Sequence, residues 1–225
     1  MSGAGTRIFL FDVDNTLLDN DRIEADISQH LERCYGKVGC DRFWAIFEEL
    51  RNEAGFADYL GSVQRFRLQG LDDPTVLELS SFFLDYPFQD RLYPGAIDAL
   101  AHVNAFGRTV ILSDGDAVFQ PLKIQRSGLW SAVGGRVLIY VHKERMLEDV
   151  ERQFPAAQYV MVDDKPTILA AMKEIWGARL TTVFPHQGHY ALASRTMGNY
   201  PRADISVERI GELLRYSYSD FASAA

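Results

Sequence analysis

Short apolar runs recur along the chain and, in its second half, alternate with segments of helical periodicity. Runs of this length that are apolar at nearly every position are typical of parallel strands covered on both faces. Five strands are predicted in this way: RIFLF (7–11), RTVILS (108–113), RVLIYV (136–141), QYVMVDD (158–164) and RLTTVF (179–184). Because helical segments separate the last four, the pattern predicts an α/β fold, a Rossmann-like doubly wound parallel sheet with right-handed crossovers.

Residues 22–90 differ from the rest of the chain, because they show helical periodicity and no convincing strand. The segment is far longer than an ordinary connection between two elements. We therefore predict an all-helical cap domain over residues 20–90, inserted into a catalytic core of residues 1–19 and 91–225. The expected helix breaks within the segment are the glycines Gly36, Gly39, Gly55, Gly61 and Gly70.

The C-terminal part of the chain again shows helical spacing. ISVERIGELLRYS, residues 205–217, is predicted to be a closing helix. The final residues, DFASAA, are expected to form a loose tail.

The composition is that of an ordinary globular protein, with 47% hydrophobic and 24% charged residues among 225. The net charge of −8 argues against nucleic acid as the main partner, because binding to a phosphate backbone requires a basic surface. No apolar stretch approaches the length of a membrane span, and the N-terminus lacks the pattern of a signal peptide. Cys34 and Cys40 form no disulfide framework and fit a reducing compartment, so a cytoplasmic location is expected.

Polar side chains follow four of the predicted strands. In an open parallel sheet the ligand site lies at the carboxyl ends of the strands, so these residues are the candidates for chemistry. They are Asp12 and Asp14 after the first strand, Ser113 and Asp114 at the second, Lys143 after the third, and Asp163 and Asp164 at the fourth. Asp12 and Asp14 would face the same side of a continuing strand, and their repulsion calls for a proton, a cation or hydrogen-bond donors.

This ordered set resembles the motifs of the haloacid dehalogenase superfamily. FDVDNTLL resembles the first motif, Asp-x-Asp-x-Thr, and VILSD resembles the second, an apolar strand that ends in Ser or Thr. Lys143 resembles the third-motif lysine, and YVMVDD resembles the acidic fourth motif. LYPGAIDAL resembles the family's return from a cap into the core, so that the likeness covers roughly residues 7–190.

The resemblance implies a phosphatase of the branch with a helical cap, acting on a small phosphorylated metabolite. Asp12 would attack phosphorus to give an aspartyl-phosphate, which water then cleaves. Asp14 would protonate the leaving alcohol and later accept a proton from the attacking water. Ser113, Asp114 and Lys143 would bind the phosphoryl group. Dehalogenase members lack an acid at the position of Asp14 and need none.

Mg²⁺ is the cofactor that the resemblance implies, because it prefers hard oxygen ligands. The carboxylate of Asp12, the backbone carbonyl of Asp14 and the carboxylate of Asp164 are the expected ligands. The fourth motif departs from its commoner form, since Ile168 stands where many members have a second acid. Asp163 is therefore assigned the second acidic position, either as a ligand or as a partner of one.

Two other functions use part of the same residue set. A sugar-phosphate mutase of the same superfamily uses Asp12 and Asp14 but returns the phosphoryl group to the substrate. A receiver-type signalling module also combines acids with a lysine, although such modules are about half as long as this chain and are not interrupted after the first strand.

Several other polar residues are predicted to lie outside the site. Lys123 is expected on the exposed surface of a helix. His186 and His189 are assigned to a loop after the last strand, because no cysteine or acid near them completes a zinc site.

Overall fold

Six parallel strands form the centre of the protein in the computed structural model, which describes residues 7–68, 75–194 and 201–222. The strands are β1 (Arg7–Phe11), β2 (Arg108–Asp114), β3 (Val137–Tyr140), β4 (Gln158–Val162), β5 (Leu180–Pro185) and β6 (Ile205–Val207). Their order across the sheet is β3-β2-β1-β4-β5-β6. The fold is therefore the predicted doubly wound α/β type, with β1 between β2 and β4.

Helices cover both faces of this sheet. They are α1 (Asn20–Ala54), α2 (Tyr59–Leu68), α3 (Thr75–Asp85), α4 (Ala96–Asn104), α5 (Phe119–Arg126), α6 (Leu129–Ala132), α7 (Leu147–Gln153), α8 (Pro166–Trp176) and α9 (Gly188–Ser194). Every residue of β1 is buried, and its side chains alternate between two hydrophobic clusters, one on each face. Phe9 and Phe11 join one cluster, and Ile8 and Leu10 join the other. The uniformly apolar run at 7–11 therefore results from burial on both sides.

Helices α1, α2 and α3 occupy the predicted insertion between β1 and β2, where the described residues contain no strand of the sheet. Gly36 changes the direction of α1 with a φ of 67°, and Gly55 ends α1 in the left-handed conformation. Gly39 and Gly61 lie inside helices, so their assignment as breaks was wrong. A glycine inside a helix costs only about 1 kcal/mol, which packing can offset. Gly70 lies outside the described residues.

The closing helix predicted over residues 205–217 was wrong. Ile205–Val207 is strand β6, which pairs in parallel with β5. A 3₁₀ helix, Ile210–Arg215, follows it. The strand alternates an exposed Ser206 with a buried Val207, which is the period of a strand, but three residues are too few for that period to stand out in the sequence.

The described part of the expected loose tail is ordered into a further 3₁₀ helix, Tyr218–Phe221. Phe221 is only 1% exposed, and its ring meets that of Phe9 edge to face with centroids 5.1 Å apart. The prediction of a loose tail was therefore wrong at Phe221, while residues 223–225 lie outside the described part of the chain. The segment Tyr218–Phe221 packs against the central strand because Phe221 fills the core on that face.

Replacement of Phe221 by alanine should lower the free energy of unfolding by about 3 kcal/mol, because it removes a buried aromatic ring beside Phe9. Urea unfolding followed by circular dichroism measures the change. Ser219→Ala, at an exposed position of the same 3₁₀ helix, is the matched control and should change stability by about 0.5 kcal/mol or less. Equal effects of the two substitutions would show that the C-terminal segment does not stabilise the core.

No helix among the described residues is both long and apolar enough to cross a membrane.

Candidate active site

The candidate site lies at the carboxyl ends of the central strands. The structure brings the seven predicted residues into one network of direct contacts and shared partners. It comprises Asp12, Asp14, Ser113, Asp114, Lys143, Asp163 and Asp164. The strand order explains this convergence, because β1 is flanked by β2 and β4 and the residues after β3 return to the same edge.

Lys143 is the central cation of the network, and its side chain is completely buried. Its Nζ donates to the carboxylate of Asp12 and lies 2.7 Å from Asp163 Oδ2. Its backbone N–H donates to Asp114 Oδ1 at 2.7 Å. Burial alone would lower the pKa of Lys143, but the carboxylates of Asp12, Asp163 and Asp114 outweigh that effect and raise it. Lys143 therefore remains charged, and Asp114 acts by fixing the position of its backbone.

Asp12 follows β1 directly and is 4% exposed. Its backbone N–H donates to the carbonyl of Val162 at 3.0 Å, which continues the pairing of β1 with β4 and fixes Asp12 at the centre of the sheet. Burial raises the pKa of Asp12 to about 6, although the charge of Lys143 acts in the opposite direction. Among the described residues, Asp12 Oδ2 is buried without a hydrogen-bond partner.

The two acids after β4 have different surroundings. Asp163 accepts a hydrogen bond from the backbone of Lys165 at 2.8 Å and pairs with Lys143 through its other oxygen. The backbone N–H of Asp164 donates to Thr16 Oγ1 at 3.0 Å. Both carboxylate oxygens of Asp164 are buried, and neither has a hydrogen-bond partner among the residues that the structure describes. Burial, with the charges of Asp163 and Asp12, raises the pKa of Asp164.

A divalent cation fits this arrangement. Carboxylate oxygens of Asp12, Asp163 and Asp164 lie within 4.8 Å of one another, and all three residues are buried. Unpaired buried carboxylate oxygens are unfavourable, and a hard cation is the partner that satisfies several of them at once. Among the described residues, Asp12 Oδ2 and both oxygens of Asp164 lack a hydrogen-bond partner. Asp163 Oδ2 also lacks a hydrogen bond of good geometry, but it lies 2.7 Å from Lys143 Nζ and is held by that ion pair. The side chain of Asp14 is outside this group.

Asp14 points instead toward α5. Its Oδ1 accepts a hydrogen bond from Lys123 Nζ at 2.7 Å, and its Oδ2 accepts one from Gln120 Nε2 at 3.2 Å. The same amide of Gln120 donates to Ser113 Oγ at 2.9 Å. The side chain of Asp14 is 29% exposed, so it can reach a molecule in the cleft described below.

The prediction that Lys123 lies on the surface was wrong, because its side chain is only 2% exposed. Phe119, Gln120, Lys123 and Ile124 form the buried face of α5. Their spacing of three and four residues is the period of one helix face, and it is the sequence signal that could have identified Lys123 and Gln120. A lysine in that stripe needs an acidic partner, which here is Asp14.

His189 is a further residue near the site that the sequence did not indicate. It lies in α9, so its assignment to a loop was wrong, and its Nδ1 is 2.5 Å from Asp21 Oδ1. Asn15 has a φ of 57° and links the same region, since its side chain donates to Asp21 and accepts from the backbone of Asn20. His186 lies away from this group, beside the ring of Phe184.

A cleft of about 470 Å³ adjoins this network and is lined by two of the seven predicted residues, Asp14 and Asp114. Its lining combines predicted site residues with side chains from α1, α2, α5 and α9, among them Asp14, Glu24, Trp44, Phe47, Arg51, Tyr59, Asp114, Gln120, Lys123, Lys165, His189 and Tyr190. A second cavity of about 570 Å³, beside α8 and β6, contains none of the seven predicted residues. The smaller cleft is therefore the one that the candidate chemistry can use.

Comparisons with known proteins identify the family and the fold. A family model described as haloacid dehalogenase-like hydrolase matches residues 6–175. The solved structure of a haloacid dehalogenase-like hydrolase from Burkholderia xenovorans LB400 is 58% identical, covers 96% of this chain and 98% of its own, and has a TM-score of 0.88. A search of curated proteins gives no match.

Two more distant structures share the fold. L-2-haloacid dehalogenase from Xanthobacter autotrophicus, with chloropropionic acid covalently bound, is 17% identical over 93% of this chain and 97% of its own, with a TM-score of 0.60. A HAD-hydrolase from Bacillus subtilis bound to magnesium is also 17% identical with the same coverage, and its TM-score is 0.61. At this identity the likeness concerns the fold alone.

Proposed function

Because the chain belongs to the haloacid dehalogenase-like hydrolase family, we propose that it is a Mg²⁺-dependent phosphatase that cleaves a small phosphate monoester through an aspartyl-phosphate on Asp12. The partner is a small phosphorylated metabolite. Asp14 is the general acid and base of the reaction, and Ser113, Asp114 and Lys143 organise the phosphoryl site.

The position of Asp14 is the observation that carries this proposal. Asp14 lines the cleft two residues after Asp12, with part of its side chain exposed to the cleft. An alcohol is a poor leaving group unless it receives a proton, so phosphate ester cleavage benefits from such an acid. A halide leaves as a stable anion and needs no proton. The acid at position 14 therefore favours phosphoryl transfer over dehalogenation.

The chain's own residues supply the parts of the reaction. A carboxylate oxygen of Asp12 attacks phosphorus while the bond from phosphorus to the leaving oxygen breaks, and that oxygen takes its proton from Asp14. Asp14, now ionised, accepts a proton from the water that attacks the aspartyl-phosphate, and this step releases inorganic phosphate and restores Asp12. Lys143 offsets the negative charge of Asp12 as the anionic substrate approaches. Ser113 and neighbouring backbone N–H groups bind the phosphoryl oxygens.

Asp12 and Asp164 would hold the Mg²⁺ ion, with the backbone carbonyl of Asp14 as a further ligand and Asp163 as the acid that links the site to Lys143. When bound, the ion supplies positive charge against the phosphoryl oxygens. Thr16 supports this arrangement because its hydroxyl accepts the backbone hydrogen bond of Asp164.

Residues 20–90 act in this proposal as a cap over the core of residues 1–19 and 91–225. Trp44 and Phe47 of α1 and Tyr59 of α2 line the same cleft as Asp14 and Asp114. A lid of this kind excludes bulk water and contacts the leaving group, so it restricts the enzyme to small substrates.

A metabolite panel tests the proposal. With Mg²⁺ present, we expect inorganic phosphate from at least one sugar phosphate, nucleotide or phosphoglycolate, and no chloride from L-2-chloropropionate. Chloride release without phosphate release would contradict the proposal and indicate a dehalogenase. Conversion of one hexose phosphate into another without free phosphate would indicate a mutase, and a phosphorylated protein that persists for minutes would indicate a signalling module.

A further inference from the structure

Lys123 is a buried charge of the cleft that the proposed mechanism does not use. Its side chain is 2% exposed, and its Nζ lies 2.7 Å from Asp14 Oδ1. An ammonium group is expensive to bury unless a charged or hydrogen-bonding partner is fixed beside it. The lysine also lies 3.4 Å from Asn20 Oδ1, at the first residue of α1. Asp14 is therefore the principal partner of this lysine.

Gln120 supplies a second donor from the same face of α5. Its Nε2 reaches Asp14 Oδ2 at 3.2 Å and Ser113 Oγ at 2.9 Å. Each oxygen of the Asp14 carboxyl group thus has a donor from α5. Two donors on two oxygens define the plane of the group and its position relative to α5, because rotation of the Asp14 side chain would break both hydrogen bonds.

Orientation matters for a residue that must transfer a proton. A general acid has to lie within hydrogen-bond reach of the leaving oxygen, and a misplacement of about 1 Å costs on the order of 100-fold in rate. Asp14 lies after β1, and its side chain is partly exposed to the cleft, so its direction depends on its hydrogen-bond partners. Lys123 and Gln120 of α5 are the partners that donate to its two oxygens.

We propose that Lys123, assisted by Gln120, is a positioning residue that holds the Asp14 carboxyl group in the direction of the leaving oxygen. The inference rests on the proposed function, since it requires Asp14 to be the general acid. Lys123 acts through Asp14 and not by binding the phosphoryl group or the leaving group.

The dependence of the rate on the leaving group tests this role. The parameter kcat/KM covers the steps up to departure of the leaving group, so it isolates the first proton transfer. In Lys123→Met, kcat/KM for the alkyl phosphate that the wild type cleaves fastest should fall by about 10- to 100-fold, within the usual contribution of general acid catalysis. For p-nitrophenyl phosphate, whose leaving group needs no proton, the loss should be about ten times smaller.

A double-mutant cycle distinguishes action through Asp14 from direct contact with the substrate. In the Asp14→Asn background, Lys123→Met should change kcat/KM for the alkyl phosphate by no more than about 3-fold, because the residue on which the lysine acts is already altered. Lys123→Arg, which keeps the charge, should recover part of the lost rate. Arg126→Met removes an exposed cation from the same helix and should leave both substrates unaffected.

Equal losses of kcat/KM for the two substrates, or an undiminished effect of Lys123→Met in the Asp14→Asn background, would overturn the positioning role while leaving the phosphatase proposal intact. A wild-type protein that hydrolyses neither phosphate ester would overturn both. If Lys123→Met strongly lowers the unfolding temperature, Lys123→Arg is compared with the wild type on the two substrates instead. Equal losses of kcat/KM for both substrates in Lys123→Arg would also overturn the positioning role.

Discussion

In Asp12→Asn, kcat for phosphate release should fall by at least about 10⁴-fold, because an amide oxygen cannot replace the carboxylate as nucleophile. The substitution is nearly isosteric, so it preserves the packing of the residue after β1 and the backbone hydrogen bond to Val162. Loss of a charge that lies against Lys143 will also change the electrostatics of the site. The loss of activity should nevertheless far exceed any change in stability, because the proposed mechanism uses the Asp12 carboxylate as its nucleophile.

Mass spectrometry of the protein after rapid acid quenching checks the covalent step directly. The wild type should show a small fraction with one added phosphoryl group, and Asp12→Asn should show none. Asp14→Asn is the matched control, since it makes the same chemical change two residues away. It should accumulate the phosphorylated form from p-nitrophenyl phosphate, because the acceptor of the proton from water is missing. Hydrolysis that survives in Asp12→Asn, or a phosphoryl group on another residue, would contradict the assignment.

The sheet could be predicted from the sequence because burial on both faces leaves an unmistakable pattern. The longer strands are largely apolar runs, and polar residues stand at or directly after the carboxyl ends of β1, β2 and β4, at the open edge of the sheet. Strand β6 did not show this pattern, because it has three residues and lies at the sheet's edge, paired only with β5. The apolar residues that follow it, Ile210, Leu213 and Leu214, have helical spacing, and this spacing concealed the strand.

The site residues that could be predicted from the sequence are those whose reactive side chains stand at the ends of apolar strands. Asp12, Ser113 and Asp164 follow from their places after apolar runs. Lys123 and Gln120 could not be placed in the same way, because they reach the site from a helix, and helix position depends on packing that no local pattern specifies. A charged lysine among the apolar residues of a buried helix face is nonetheless unusual, because burial disfavours its charge. Exceptions of this kind to the usual sequence pattern are expected at functional sites.

The different roles of Asp163 and Asp164 also could not be predicted from the sequence and are seen only in the structure. Adjacent residues at the end of a strand point in different directions, and the sequence alone does not say which of them faces the nucleophile. The contact with Lys143 assigns Asp163 to the lysine, whereas the oxygens of Asp164 have no hydrogen-bond partner in the described part of the chain. Lys143 is the lysine in direct contact with both Asp12 and Asp163, so its removal should have a large effect.

Lys143→Met should lower the free energy of unfolding by about 3–5 kcal/mol at neutral pH without divalent cations, because it leaves Asp12 and Asp163 buried without their cation. The pH dependence has a defined sign. Burial already raises the pKa of Asp12 to about 6 in the folded protein, and loss of the Lys143 charge will raise it further. A carboxyl group with a raised pKa in the folded state binds a proton more readily than in the unfolded state, so folding becomes more favourable as the pH falls.

Urea unfolding in EDTA between about pH 5 and pH 8 measures this effect, since that window includes the raised pKa of Asp12. The variant should regain stability as the pH falls from 8 to 5 more steeply than the wild type, and Mg²⁺ at pH 8 should restore part of the loss by replacing the missing positive charge. Lys37→Met, at an exposed ion pair with Asp41, is the control and should leave stability and its pH dependence nearly unchanged. A Lys143→Met variant with wild-type stability in EDTA at pH 8 would contradict the assignment of Lys143 as the cation that makes two buried carboxylates tolerable.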